Sequence, residues 1–514
     1  MTEEQCKQPS LRLSSGILDE SWVVSRSACI AGWDKAWPFQ REAAALLASK
    51  QRVGLWCSTG IGKTFMLLLA WALRGYPSPI LFVTKALGRH VFTRDATWGL
   101  GADYAPGIVW AGSVHPPGIH NTFGRRTYTS IDAALSESIG VSTNYDVLES
   151  RFAELVKVPW KAIVFDEVHE IKGGHKPPKM RNGKLHRLRY HFCRALADSV
   201  RARGGIVMSG TATPIIDRRR DLFAQVDVVL PNLLGSAWNF LTHFCDGRIG
   251  QWGGLVANGE TNTEELDVLL KNRFVIIKRS DVADQMPPIS RDVTIVPFDG
   301  ELTKYQGGSI ETALDRAAEM KVPAVLDAAA DALSSSLKVL WVTTRRRIAH
   351  RISVTVSGDK FAARLPREVR ESLWVKCVTG EMAAAQRVSV IEEFNAKREG
   401  PAIIVATLGS LRDSVDLQQT DLVLVGAFPD SPGALIQLDG RFSRLNGRPV
   451  SMRYFVAERT IDEFYKMRII DKMDDLVTLG AETQGVNGTY SALRGDGGEK
   501  ELLASLLADL DQFG

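Results

Sequence analysis

The sequence predicts an α/β protein built from two tandem, doubly wound parallel-sheet lobes with a small helical stretch between them. Three observations lead there. Short, continuously apolar, β-rich runs alternate with longer helical patterns; a glycine-rich loop stands just ahead of an apolar helical run; and an apolar run about a hundred residues later ends in two adjacent carboxylates. Strands that are apolar without alternation are buried on both faces, and a parallel sheet covered by helices on each side supplies that environment.

In chain order, residues 1–36 read as an N-terminal extension whose first residues lack the basic start and apolar centre of a secretory signal, so export is not expected. The first lobe spans 37–230, with strands at Ile80-Leu81-Phe82-Val83, Ala162-Ile163-Val164-Phe165 and Gly205-Ile206-Val207-Met208. Residues 231–294 read as a mainly helical insertion, closed by Met286-Pro287-Pro288 as a boundary. The second lobe spans 295–475, with strands at Val339-Leu340-Trp341-Val342, 402–405 and 422–425. In 476–514 a Gly-, Thr-, Asn- and Ser-containing linker leads to Leu502, Leu503, Leu506, Leu507, Leu510 and Phe513 at helical spacing, an amphipathic helix expected to pack back onto the second lobe, with partner binding as the alternative.

A chain of 514 residues is too long for one hydrophobic core. Its 45% hydrophobic and 24% charged residues match soluble globular proteins. The longest strongly apolar stretch, 65–73, is far short of the roughly 20 residues of a membrane helix. Six scattered cysteines without a C-x-x-C pair indicate neither a zinc site nor a disulfide framework. The expected location is the cytoplasm, beside the nucleoid in a bacterial or viral setting, or the nucleus in a eukaryote.

The net charge of +4 is small, but its distribution is uneven. Between Ile171 and Asp198 there is no acidic residue, while Lys172, Lys176, Lys179, Arg181, Lys184, Arg187 and Arg189 fall inside that window. This density of positive charge suits phosphate contacts. Arg218-Arg219-Arg220 and Arg345-Arg346-Arg347 are shorter runs and read as solvated surface.

The run Cys57-Ser58-Thr59-Gly60-Ile61-Gly62-Lys63-Thr64 places glycines where backbone N–H groups close around phosphate oxygens, a lysine that reaches the terminal phosphates, and a hydroxyl for Mg²⁺. Phe165-Asp166-Glu167-Val168-His169 supplies the second half of the site: Asp166 for Mg²⁺, Glu167 for the attacking water. Phosphoryl transfer also needs a cation for the charge that develops, often from a second lobe. In Gln437-Leu438-Asp439-Gly440-Arg441-Phe442-Ser443-Arg444 the two arginines stand three apart, on one side of a helical turn.

The order of these motifs, with Gln40 in Trp37-Pro38-Phe39-Gln40 and with Ser209-Gly210-Thr211-Ala212-Thr213-Pro214, resembles the superfamily 2 helicases and translocases over most of the chain. Asn144-Tyr145-Asp146-Val147-Leu148, residues 230–246 and Ile277-Lys278-Arg279-Ser280-Asp281-Val282 are similar to segments of the Snf-type, compact annealing-helicase branch. The resemblance implies RecA-like lobes, adenine recognition by Gln40, coupling through His169, Ser209 and Thr211, and arginine fingers at Arg441 and Arg444. It also implies DNA-backbone contacts at Thr84, Lys85, Thr143, Asn144 and Thr407. Two positions depart from the pattern: Cys57 stands where a small residue is usual, and 407–417 lacks a glycine, with Ser414 nearest in register.

The sequence therefore reads as an ATP- and Mg²⁺-dependent DNA translocase acting on duplex DNA, with single strands or RNA as other partners. Alternatives are a strand-separating helicase and a nucleotide-gated binding module with little turnover.

Overall fold

The computed structural model describes residues 20–467, apart from 50–51, 87, 110–126, 175, 177–178, 182–183, 187, 213, 215–217, 251–254, 272, 298–309, 397–399, 412–416, 430–431 and 443–447. The expected C-terminal linker and helix, 476–514, lie outside the described residues, as do Ser414 and Arg444. The chain divides into two compact units between Val282 and Ala283.

The first unit carries strands β1 (Arg52–Cys57), β2 (Ile80–Thr84), β3 (Gly107–Val109), β4 (Thr127–Tyr128), β5 (Gly140–Asn144), β6 (Ala162–Asp166), β7 (Lys179–Arg181), β8 (Lys184–His186), β9 (Ile206–Thr211), β10 (Arg248–Ile249), β11 (Leu255–Val256) and β12 (Phe274–Ile277). Eight of them form one sheet in the order β12-β1-β9-β6-β2-β5-β3-β4, parallel throughout. β7 pairs with β8, and β10 with β11, as short antiparallel hairpins. Every residue of β2, β5 and β6 is buried; β2 and β6 are accordingly apolar without alternation up to their last residue, whereas β5 buries the polar Ser142, Thr143 and Asn144. The apolar stretch 65–73 is the body of helix Lys63–Leu73 and is buried along its whole length. A helix buried all round needs no polar face.

The stretch expected to be a helical insertion is only partly that. It contributes the helices Ala237–Phe244 and Thr263–Lys271 and the β10–β11 hairpin, then returns to the first sheet as its edge strand β12. Phe274 fixes this return: it stacks on Trp56 with ring centroids 4.3 Å apart, over Gly54, where a Cβ would come within 2.1 Å of its ring. Arg219 ties down the same excursion. It is buried rather than solvated, donating to the carbonyls of Phe244 (3.2 Å) and Thr261 (3.0 Å) and pairing with Glu260. Tertiary carbonyls thus took up an arginine that the local charge run assigned to the surface.

The second unit carries β13 (Ile289–Val296), β14 (Lys338–Thr343), β15 (Trp374–Val378), β16 (Ala402–Thr407), β17 (Leu422–Val425) and β18 (Val450–Ala457). They form a second all-parallel sheet, ordered β13-β18-β17-β14-β16-β15. The three strands read from sequence, β14, β16 and β17, lie inside this sheet and are fully buried. The edges β13 and β15 are half-exposed and mixed in sequence, so continuous apolarity did not mark them, and the second sheet starts at β13, ahead of the expected residue 295. Arg345 and Arg347 of the third basic run are spent on Asp315 and Glu319 at 2.9 and 2.8 Å. The fold is two RecA-like α/β lobes, each with its own core.

Candidate active site

The first unit gathers its chemistry at the C-terminal ends of β1, β9, β6, β2 and β5, the edge at which open α/β sheets bind ligands. The loop after β1 turns through Gly60 (φ 83°) and Gly62 (φ 88°) into helix Lys63–Leu73. Both are in the left-handed region that only glycine enters cheaply. Gly62 also touches Gln40: a Cβ there would lie 2.4 Å from Gln40 Nε2. The Gln40 amide is buried, its Nε2 donating to Ile61 O at 2.8 Å and its Oε1 accepting from Trp37 N at 3.0 Å. It braces the glycine loop from behind, with one hydrogen and one lone pair left for a further partner.

Lys63 opens the helix and reaches both carboxylates. Its Nζ donates to Glu167 Oε1 at 2.6 Å and lies 3.2 Å from Asp166 Oδ1. Asp166 ends β6, where its Oδ2 accepts from Thr84 Oγ1 at 3.0 Å and its carbonyl accepts from Tyr145 OH at 2.8 Å. Glu167 leaves the strand at φ 52°, a left-handed conformation that costs a non-glycine residue about 1 kcal/mol or more. His169 Nδ1 sits 2.8 Å from Thr211 Oγ1 and 3.2 Å from Glu167 Oε2, so one imidazole connects the carboxylate to β9.

The electrostatics follow from burial and pairing. Burial alone would push Lys63 down, but Asp166 and Glu167 more than reverse this and hold its ammonium charged. Burial likewise opposes the Glu167 charge, and Lys63, His169 and Lys85 overcome it, holding the carboxyl well below its ordinary range. Asp166 goes the other way: burial, together with its neighbour Glu167, outweighs Lys63 and raises it. Burial keeps His169 below its usual value and hence neutral at pH 7. Cys57 is buried, its thiol pushed up to about 12, so it is an inert packing residue here.

A glycine cradle at a helix N-terminus, a buried lysine, the half-buried hydroxyl residue Thr64 in the first helical turn and a strand-end aspartate are the donor set for a triphosphate with a hard divalent cation. In the second unit, helix Pro432–Phe442 carries Gln437 and Arg441. Arg441 O accepts from Leu417 N at 2.7 Å. Asp439 of the same helix accepts from Arg291 of β13 at 2.7 Å, both side chains being only 5% exposed.

The family model described as "Helicase conserved C-terminal domain" matches residues 326–446. A Drosophila melanogaster protein named "SWI/SNF-related matrix-associated actin-dependent regulator of chromatin subfamily A-like protein 1" is 22% identical over 473 residues, 87% of this chain and 56% of that protein. Its Xenopus laevis counterpart is 24% identical over 86% of this chain and 44% of its own length. The human "DNA annealing helicase and endonuclease ZRANB3" is 21% identical over 66% of this chain and 31% of that protein. The chain is similar to superfamily 2 proteins of the Snf-type, annealing-helicase-like kind. It spans about half the length of the first two relatives. The structure titled "Crystal Structure of DUF1998 helicase MrfA bound to DNA" shares its fold with a TM-score of 0.51 at 14% identity, covering 83% of this chain and 46% of that one.

The residues read from sequence separate into groups. Ser58, Thr59, Gly60, Ile61, Gly62, Lys63, Asp166, Glu167 and His169 lie together at the loop and the strand ends, with Thr211 alongside and Ser209 buried in β9 opposite Gly54 and Phe165. Thr84 and Thr143 are 0% exposed, and Thr84 is already bonded to Asp166. Neither hydroxyl offers itself to a DNA backbone, contrary to the expectation from resemblance, because the strand ends that carry them are packed inside the site. Asn144 and Thr407 are buried too, the latter ending β16. Lys85 is partly exposed and Lys176 exposed, while Lys179, Arg181 and Lys184 lie on the β7–β8 hairpin, with Arg181 opposite Lys184.

Three residues not read as part of the site join it. Tyr145 holds the Asp166 carbonyl; Glu170 and Arg189 extend the network outward, 2.7 Å apart. Glu170 directly follows the acidic motif, but nothing local says that Lys85 and Arg189, 85 positions behind and 19 ahead of it, fold onto its two oxygens.

Proposed function

We propose that this chain is an ATP- and Mg²⁺-dependent DNA translocase that couples hydrolysis to movement along, or remodelling of, duplex DNA. The observation that carries it is the single charge cluster in which Lys63 bridges Asp166 and Glu167, while His169 ties Glu167 to Thr211. Lys63 transfers from Glu167 to the β- and γ-phosphates when ATP enters the glycine cradle formed by 58–64. That transfer frees the Glu167 carboxylate to take a proton from the attacking water. Thr64 and Asp166 would hold Mg²⁺, which would supply positive charge against the phosphates. Gln40 has the donor and acceptor left to read adenine, with Gln437 as a further nucleotide contact, and Arg441 and Arg444 serve as transition-state cations.

The nucleic-acid surface is assigned to Lys85, Lys176 and the hairpin residues Lys179, Arg181 and Lys184, whose chemistry suits phosphates rather than base edges. The human relative's name includes DNA annealing and the MrfA title a DNA complex, which supports DNA over RNA. The animal relatives are named as chromatin regulators, which supports a nuclear location over a bacterial or viral one. Among the described residues no helix is long and apolar enough to cross a membrane.

Steady-state ATP hydrolysis with no nucleic acid, single-stranded DNA, duplex DNA and RNA at matched low salt tests this reading. Strong stimulation by duplex is expected, together with loss of turnover in folded Lys63→Ala and Glu167→Gln proteins. Normal hydrolysis by Glu167→Gln would refute the site, and stimulation mainly by single strands or RNA would move the reading to a strand-separating helicase.

A further inference from the structure

We propose that Glu170 is a built-in stand-in for a DNA phosphate, holding Lys85 and Arg189 together until duplex DNA displaces it. The inference rests on the translocase reading and adds a regulatory contact to the same site.

Glu170 Oε1 lies 3.2 Å from Lys85 Nζ, and its Oε2 accepts from Arg189 NH1 at 2.7 Å. One carboxylate thus uses each oxygen on a different cation, the arrangement that a backbone phosphodiester takes with lysine and arginine. Arg189 is held by more than this contact: its NH2 donates to Asp146 at 2.8 Å, and its guanidinium stands over the Tyr145 ring, 5.4 Å from the centroid. The guanidinium therefore stays in place when Glu170 leaves.

The location fits the role. Lys85 follows β2, Asp146 follows β5 and Glu170 follows β6, three adjacent strands whose C-terminal ends face the ligand edge of the sheet. The Glu170 and Arg189 side chains are about 30% exposed, 31% and 30%, so water reaches the ion pair and holds it weakly. A polyanion that releases condensed counterions outcompetes such a pair. Burial favours the protonated acid here, but Lys85, His169 and Arg189 hold Glu170 below its ordinary range, so it is ionised at neutral pH and occupies both cations.

The inner end of the contact reaches the chemistry. His169 Nε2 is 3.7 Å from Glu170 Oε1, while its Nδ1 is 3.2 Å from Glu167 Oε2. Displacement by a phosphate moves the Glu170 carboxylate away from His169 Nε2, and through the imidazole alters the setting of Glu167. Occupancy by DNA is thereby felt at the group that activates water, with no second site required.

The test is binding of a short fluorescent duplex across a salt series, with DNA-stimulated hydrolysis measured alongside. Glu170→Gln keeps the shape but not the charge, so Lys85 loses its carboxylate and Arg189 keeps Asp146 alone before DNA arrives. The slope of log affinity against log salt should steepen by about one unit, and low-salt binding should tighten several-fold. The DNA concentration for half-maximal stimulation should fall in parallel. Arg189→Gln should shift the slope the opposite way, by about one unit. Glu154→Gln, which removes an exposed acid paired only with Arg151 among the described contacts, should leave the slope unchanged.

A folded Glu170→Gln protein with the wild-type slope overturns the inference and leaves the translocase reading standing. A wild-type chain that hydrolyses ATP but neither binds duplex nor responds to it overturns both. A merely structural role for Glu170 would lower hydrolysis in Glu170→Gln without moving the slope.

Discussion

Gly62→Ala isolates the brace behind the nucleotide loop. Gly62 sits at φ 88°, ψ 35°, where a Cβ costs about 1–2 kcal/mol from its own backbone. That Cβ would also lie 2.4 Å from Gln40 Nε2, closer than real contacts allow, so Gln40 must move. Moving it breaks the bonds to Ile61 O and Trp37 N inside a buried pocket, at about 1 kcal/mol each. The total is about 3–4 kcal/mol, and ATP affinity should fall with it because the displaced loop is the phosphate cradle. Gln40→Ala alone should cost about 2 kcal/mol, since it loses the two bonds but none of the backbone term. The double variant should therefore cost about 2 kcal/mol less than the sum of the singles, because the second substitution has no bonds left to break. Urea unfolding of all four proteins, with ATP titrations beside it, measures the cycle. Additive costs, or a Gly62→Ala protein within about 1 kcal/mol of wild type, would show that the brace is not coupled to the loop.

Two further outcomes follow from the charge network. His169 has a depressed folded pKa, so below its ordinary value of 6.5 the unfolded chain takes up a proton that the folded one refuses; stability present above that pH is lost as pH falls towards the folded value. His169→Gln should flatten that slope, and denaturation midpoints across pH 5–8 check it; an unchanged slope would mean that the imidazole is not the group titrating. Arg291→Met leaves Asp439 charged, buried and stripped of its guanidinium, and should cost the second unit about 3–5 kcal/mol, with most of it regained in Arg291→Met/Asp439→Leu. Thermal unfolding of the single and double variants decides, and a single variant as stable as the double would contradict the buried-pair account.

Much of the site was legible in one dimension because its chemistry is local. A phosphate cradle needs consecutive backbone N–H groups, so the glycines, Lys63 and Thr64 must be neighbours in sequence, and Asp166 and Glu167 must share the end of one strand. The interior strands were legible for a similar reason: burial on both faces forces an unbroken apolar run, as in β6, β14 and β16. Edge strands escape that constraint. β12 joined the first sheet rather than a helical insertion because Phe274 found Trp56 and Gly54, about 220 residues away, and no local pattern encodes such a meeting.

Tertiary structure also decided which charges are spent. Arg219 and Arg220 are neighbours in one basic run, yet the fold buries only Arg219 among carbonyls. Thr84, which the resemblance implied as a DNA-backbone contact, donates to Asp166 instead, while Glu170, a single acid after the motif, became the meeting point of Lys85 and Arg189. Residue type and spacing determine what chemistry a loop or strand end is able to carry. Whether a given charge faces water, a partner or a substrate depends on groups brought together from distant parts of the chain, because electrostatic and hydrogen-bond energies act through space and not along the sequence.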